Sequence, residues 1–144
     1  MREILFRGKR IDNGEWIEGY FVKFERREIP EIYTGWNCYT LTPECHGIEP
    51  STVGQHTGSI DKNGKKIFED DIIRVKCSIR CPIGVGNSFR IGTYDIDYIA
   101  SVIFDDCRFC LAKANGEIYE IPLSSENIKV IGNIHDNPEL LNVR

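Results

Sequence analysis

Long apolar runs are missing from this chain: nowhere do about 18 apolar residues follow one another, so no helical membrane span is expected. Nor does the opening Met1-Arg2-Glu3-Ile4-Leu5-Phe6-Arg7 provide an apolar leader with a cleavage site; it runs straight into charge, and the expected location is the cytoplasm. An excess of one charge is lacking as well. With 22 acidic and 18 basic residues the net charge is −4, which excludes a general attraction to nucleic acid or anionic lipid and leaves room only for a local basic patch. The six cysteines, Cys38, Cys45, Cys77, Cys81, Cys107 and Cys110, come without a secretory signal, so free thiols are expected rather than three disulfides. Helix signals are sparse. Pro138 at a first helical position after Asp136 or Asn137 marks a short C-terminal turn, and Pro50 in Glu49-Pro50-Ser51-Thr52-Val53 marks another.

What the chain has instead is β-strand chemistry. Its 144 residues, 41% hydrophobic and 28% charged, suit one globular domain over residues 1–144. Asn-Gly occurs three times between segments of strand composition, at Asn13-Gly14, Asn63-Gly64 and Asn115-Gly116. Both residues tolerate positive φ, which a type I′ hairpin turn requires at its two central positions, so three antiparallel hairpins are expected. The first joins residues 3–9 to 16–24 and the third joins 109–113 to 117–121, while the second leads to Asp71-Ile72-Ile73-Arg74-Val75-Lys76. The turns lie 50 and then 52 residues apart, but their flanks do not match, and hairpin chemistry accounts for the recurrence without a repeat. Residues 90–104 are rich in β-branched and aromatic side chains and read as one bent strand or two strands with a bulge. Residues 128–134 read as a last strand. Residues 77–87, with Pro82, Gly84 and Gly86, read as a loop. That segment is no phosphate loop, because Gly84-Val85-Gly86-Asn87-Ser88 lacks the Lys-Ser/Thr ending and opens a strand.

Three stretches resemble the YopX family of phage and prophage proteins: Met1 to Gly8, Thr52 to Ile73 (VGQHTGSIDKNGKKIFEDDII in its core) and Val130 to Leu141. The resemblance frames nearly the whole chain and is weakest over residues 77–112. It implies a mainly β fold containing a small SH3-like barrel, with an N-terminal β extension and a short C-terminal helical turn. A division into an N-terminal β subdomain of residues 1–55 and a barrel of residues 56–144 goes with it. The family brings no established activity, so no catalytic residue and no cofactor are carried over. Two departures are visible: His56 stands where the family often has Tyr, and Asp70 stands where Gly is usual. The second means either that this turn needs no glycine-only conformation or that Asp70 adopts it at some cost.

Candidate sites come from residue chemistry. Cys77-x3-Cys81 with Cys107-x2-Cys110 could supply four thiolates to zinc, but no Gly or Pro lies between the second pair, which favours free cysteines. Cys45-His46 sets a thiol next to an imidazole in sequence only. His56 lies in the most specific segment; packing or hydrogen bonding explains it more simply than catalysis, which needs a partner group. Asp95 and Asp97 share a strand face opposite Tyr94, Ile96 and Tyr98, the pattern of an amphipathic strand with a wet side. Lys62, Lys65, Lys66, Arg74 and Lys76 form a candidate basic face for nucleic acid. The reading that combines these is a non-enzymatic accessory protein of a mobile element, working through an unknown protein partner or self-assembly. A nucleic-acid-binding small barrel is the alternative, and an enzyme built around His56 comes third.

Overall fold

All three Asn-Gly sequences lie at turns that join neighbouring antiparallel strands, in a computed structural model that describes residues 3–37, 39–122 and 124–142. Met1, Arg2 and Cys38 therefore lie outside the described residues. None of the three turns is type I′. At each, only the glycine has positive φ, at 70° for Gly14, 77° for Gly64 and 88° for Gly116, and the asparagines stay in the ordinary region. Asp61 N donates to Lys65 O and Gly64 N to Asp61 O, so residues 62–64 form a type I turn closed by a left-handed glycine. Lys113, Glu117 and Gly116 repeat that bonding. The first turn is one residue longer, with Arg10 N bonded to Glu15 O and Gly14 N to Arg10 O. Asparagine contributes its side chain rather than its backbone freedom: Asn13 Oδ1 accepts from Glu15 N and Asn115 Oδ1 from Glu117 N, each at 3.0 Å.

The strands are β1 (Phe6–Lys9), β2 (Trp16–Val22), β3 (Glu31–Asn37), β4 (Thr42–Gly47), β5 (Gly54–Ile60), β6 (Lys66–Phe68), β7 (Asp71–Val85), β8 (Ser88–Asp105), β9 (Arg108–Ala112), β10 (Ile118–Glu120) and β11 (Ile128–Asn133). Short 3₁₀ turns at Pro50–Thr52 and Pro138–Asn142 stand where the two prolines marked them. The strands make two antiparallel sheets, β4-β3-β2-β1-β5-β6 and β10-β9-β8-β7-β11. Among the described residues neither ladder closes on itself, so the architecture is mainly β and antiparallel without a hydrogen-bonded barrel. Two compact units result: Met1–Ser59 with Lys66–Asp70, and Ile60–Lys65 with Asp71–Arg144. The main change of unit falls after Ser59, inside β5, a few residues beyond the division after residue 55.

In the first unit Leu5, Ile32, Ile48, Ile67 and Phe68 are buried. The Arg7 guanidinium lies 4.8 Å from the Trp16 ring centroid and 4.9 Å from that of Phe68, and it donates to Glu69 O. In the second unit the core comprises Ile72, Ile73, Val75, Ala100, Val102, Cys110, Leu111, Ile128 and Val130. One buried carboxylate organises its edge. Asp61, 2% exposed, accepts from Asn63 N and Lys65 N through Oδ1, both at 2.9 Å, and from Val130 N through Oδ2 at 3.1 Å. Burial pushes its pKa up, but those three N–H donors and the Lys65 charge outweigh burial and hold the carboxyl below its ordinary value.

The largest departure from the sequence reading is residues 77–87. They are not a loop: β7 runs unbroken to Val85, and β8 starts at Ser88 and continues for 18 residues as a single strand. Gly86 and Asn87 form a two-residue turn with glycine at the first central position, φ 70°, as type II′ requires. Pro82 is tolerated opposite Ile91 because a proline nitrogen can face an edge that carries no further strand.

Candidate interaction surface

β7 and β8 pair from Ile72↔Ser101 out to Val85↔Ser88, but their flanking strands cover only the beginning of that ladder. β11 pairs with β7 at residues 71–75, and β9 pairs with β8 at residues 101–105. Beyond them, residues 76–85 and 88–97 pair only with each other among the described residues, making a two-stranded ribbon with both edges open.

Strand alternation assigns the ribbon two faces. Cys77, Ile79, Cys81, Ile83 and Val85 share one face with their partners Ile96, Tyr94, Gly92, Arg90 and Ser88. This face continues the row that is buried at the root of the same strands, Ile73 and Val75 on β7 and Ala100 and Val102 on β8. Ile83 lies over Gly92, where a Cβ would collide with it. Beyond the flanking strands the row is half-buried at Cys77, Cys81, Ile83 and Ile96 and exposed at three positions: Ile79 is 47% exposed, Tyr94 53% and Val85 93%. The other face is polar near the root, where Lys76 opposes Asp97 and Ser78 Oγ donates to Asp95 Oδ1. At the tip it turns apolar through Pro82, Ile91 and Phe89, with Ile91 71% and Phe89 67% exposed. Near the root, an open cleft is lined by Arg74, Asp97, Tyr98, Lys113 and Leu141. Its charges are already engaged, Arg74 with Asp97 and Lys113 over the Tyr98 ring at 5.0 Å.

The basic residues singled out in the sequence are placed as follows. Arg74 and Lys76 share a face of β7, but Arg74 forms a two-point bond to Asp97 at 2.8 and 2.6 Å, and Lys76 sits opposite the same carboxylate. That bond raises the pKa of Arg74 and lowers that of Asp97. Lys62 and Lys65 are exposed on the turn of residues 61–65. Lys66 belongs to the other compact unit, 3.8 Å from Glu3 and 3.9 Å from Glu18.

His56 is 6% exposed and packs 5.3 Å from the Phe68 ring, with Nε2 3.3 Å from Ser59 O and its backbone N bonded to Leu5 O. Nδ1 is buried without a hydrogen-bond partner among the described residues. Cys77 and Cys81 lie on the ribbon, Cys107 has φ 61° in the turn after β8, and Cys110 is buried on β9 opposite Ile103. Among the described residues no group of three or more His, Cys, Asp or Glu side chains is placed to hold a metal ion. Cys45 and His46 are neighbours on β4 and point to opposite faces. Desolvation and the Glu31 carboxylate push the Cys45 thiol up, away from the nucleophilic thiolate.

The surface that sequence reasoning missed is thus the ribbon. Its signal was Gly86-Asn87 between two segments of alternating pattern, a known hairpin sequence, masked by Pro82 and Gly84.

Among the described residues no helix is long and apolar enough to cross a membrane. No curated protein matches the chain. The crystal structure of protein EF1440 from Enterococcus faecalis is similar in fold, with a TM-score of 0.57 and 24% identity over 98% of this chain and 99% of that one. The family model described as YopX protein matches residues 5–142. With that match spanning nearly its whole length, the chain belongs to the YopX family.

Proposed function

We propose that this chain is a non-enzymatic accessory protein of phage or prophage origin that acts in the cytoplasm through protein contacts. The observation that carries the reading is the ribbon: an apolar row that is core at the root of β7 and β8 and farther out alternates half-buried Cys77, Cys81, Ile83 and Ile96 with exposed Ile79, Tyr94 and Val85. Exposed apolar surface of that extent, rimmed by polar side chains, is the ordinary mark of a protein-binding surface. The five antiparallel strands of the second unit are read here as an opened relative of small SH3-like barrels. A nucleic-acid reading draws less support, because Arg74 is held by Asp97 and Lys66 lies beside two glutamates. Catalysis by His56 draws less again, since its ring meets a phenyl ring and a backbone carbonyl.

The test is affinity purification of the tagged full chain from the cells that encode it, with and without nuclease, followed by mass spectrometry. Stoichiometric protein recovery that survives nuclease is expected. Recovery of nucleic-acid-binding proteins alone, abolished by nuclease, overturns the reading.

A further inference from the structure

We infer that the tip of the β7–β8 ribbon docks on an anionic lipid surface, with its apolar end in the interfacial layer and Arg80 and Arg90 on lipid phosphates. The inference goes beyond the protein-contact reading, since it gives the outer end of the ribbon a partner that is not a protein.

Three observations carry the choice of lipid. The first is that apolar side chains surround the tip. Ile83 and Val85 project from one face, and Pro82, Phe89 and Ile91 from the other. Val85, Phe89 and Ile91 are all exposed. A flat protein surface covers one face of a ribbon and leaves the other in water. A lipid interface is fluid and closes round both, and binding to it scales with the apolar area that enters.

The second observation is charge. Residues 77–94 contain Arg80 and Arg90 and no acidic residue, so the segment is +2 in a chain of net −4, and the rest carries −6. The outer ribbon is thus the local basic patch of an acidic protein. Arg90 stands on the face of Ile83 and Arg80 on the face of Pro82, so each face presents one cation. Both are exposed, and neither forms an ion pair among the described residues, whereas Arg74 is held by Asp97 and Lys66 lies between Glu3 and Glu18. The nearest carboxylates, Asp95 and Asp97, lie closer to the root and are occupied by Ser78 and Arg74. A guanidinium matches phosphate oxygens two at a time, and an anionic leaflet attracts basic side chains held near its surface.

The third is depth. The pair Pro82↔Ile91 stands three steps from the closing pair Val85↔Ser88, about 10 Å along the strands, which is the depth to which interfacial segments sink. The pair Arg80↔Thr93 is two steps farther, about 7 Å, within the thickness of one headgroup layer. Arg90 is nearer the end, paired with Ile83, and its long stem reaches back to the same layer. At that depth the open strand edges meet headgroups and water rather than hydrocarbon, where unpaired N–H and C=O groups are not tolerated.

The experiment is co-sedimentation of the full chain with vesicles of phosphatidylcholine alone and of phosphatidylcholine mixed with phosphatidylglycerol, at low and high salt. Two double variants run beside it, Val85→Ser with Phe89→Ser and Arg80→Gln with Arg90→Gln. All four side chains are exposed, so both variants should keep the fold, and either one keeps the test open if the other does not. The wild type is expected to bind the mixed vesicles at least about tenfold more tightly than phosphatidylcholine alone, with salt weakening the binding. Each double variant should lower affinity for the mixed vesicles by about tenfold or more. A wild type that ignores the mixed vesicles, equal binding to both compositions, or binding that a folded variant leaves unchanged overturns the inference. Affinity purification with the serine variant separates this inference from the protein-contact reading. A wild type that ignores vesicles but retains a protein lost in that variant assigns the tip to a protein cleft, which overturns lipid docking and leaves the protein-contact reading standing.

Discussion

The root and the far end of the β7–β8 pair carry the same alternating pattern and meet opposite fates. At the root, where β11 and β9 flank the pair, Ile73, Val75, Ala100 and Val102 are buried. Farther out, Ile79, Val85 and Tyr94 occupy equivalent positions on the same face and stand in solvent. Alternation therefore prescribes which side chains share a face, while what packs against that face decides whether it is buried. An apolar row that outruns its cover within one chain is what supports the protein-contact reading.

The comparison breaks most visibly under charge. Val75→Asp at the root buries an unpaired carboxylate and is expected to lower stability by more than about 4 kcal/mol, enough to unfold a domain of this size. Val85→Glu at the tip is expected to change it by no more than about 0.5 kcal/mol. Urea denaturation of the two variants reads the contrast directly, and equal losses would contradict it.

Asp61 sharpens the root side of the comparison, because its side chain holds the backbone of β11 as well as its own turn. Asp61→Ala strands three N–H groups and is expected to cost about 2–4 kcal/mol, with Asp61→Asn losing less because one carbonyl acceptor remains. The pH dependence has a definite sign. The folded-state pKa of Asp61 lies below the unfolded one, so its contribution is full above the ordinary carboxylate pKa of about 4 and is lost as pH falls through the folded value. The stability gap between wild type and Asp61→Asn should accordingly shrink in acid. A gap that widens below that pH would contradict the assignment.

Glycines at root and tip permit one substitution in two settings. Gly64 and Gly86 have φ of 77° and 70°, and neither has an atom close enough to obstruct an added Cβ. Valine at either site meets backbone strain of about 1–2 kcal/mol. In Gly64→Val the strain falls on the turn that carries Asp61 and should appear as a lower melting temperature. In Gly86→Val it should fray the ribbon tip locally, with little change in the global midpoint; similar midpoints for both would remove the distinction.

The smallest effect is expected at Asp70, just before β7, where φ is 68°. This residue adopts the left-handed conformation for which glycine is better suited, so Asp70→Gly should raise stability by up to about 1 kcal/mol. A clear loss would mean that contacts of the Asp70 side chain outweigh the strain.

Legibility in the sequence followed the locality of the signal. The Asn-Gly turns, the two proline-led 3₁₀ turns and the strands at residues 90–104 and 128–134 rest on neighbours in the chain, and they stand close to where the sequence set them. The turn type was misjudged because asparagine was credited with positive φ when its side chain was capping the loop instead. β3 and β4 went unread: in them Ile32 is the one core side chain among the residues whose burial is described, so no alternation announces them. The ribbon was read as a loop because Pro82 and Gly84 are loop formers wherever both edges of a strand must pair, and here one edge is open. Asp61, two residues before Asn63, carried a side-chain-to-backbone turn signal, yet its bond to Val130, 69 residues away, has no local trace.

Hydrogen–deuterium exchange of the full chain tests the contrast between the root and the far end of the β7–β8 pair most directly. The account predicts slow exchange at residues 71–75 and 101–105, which further strands flank, and faster exchange at residues 76–85 and 88–97, which pair only with each other. Equal protection along the whole length of both strands would contradict it.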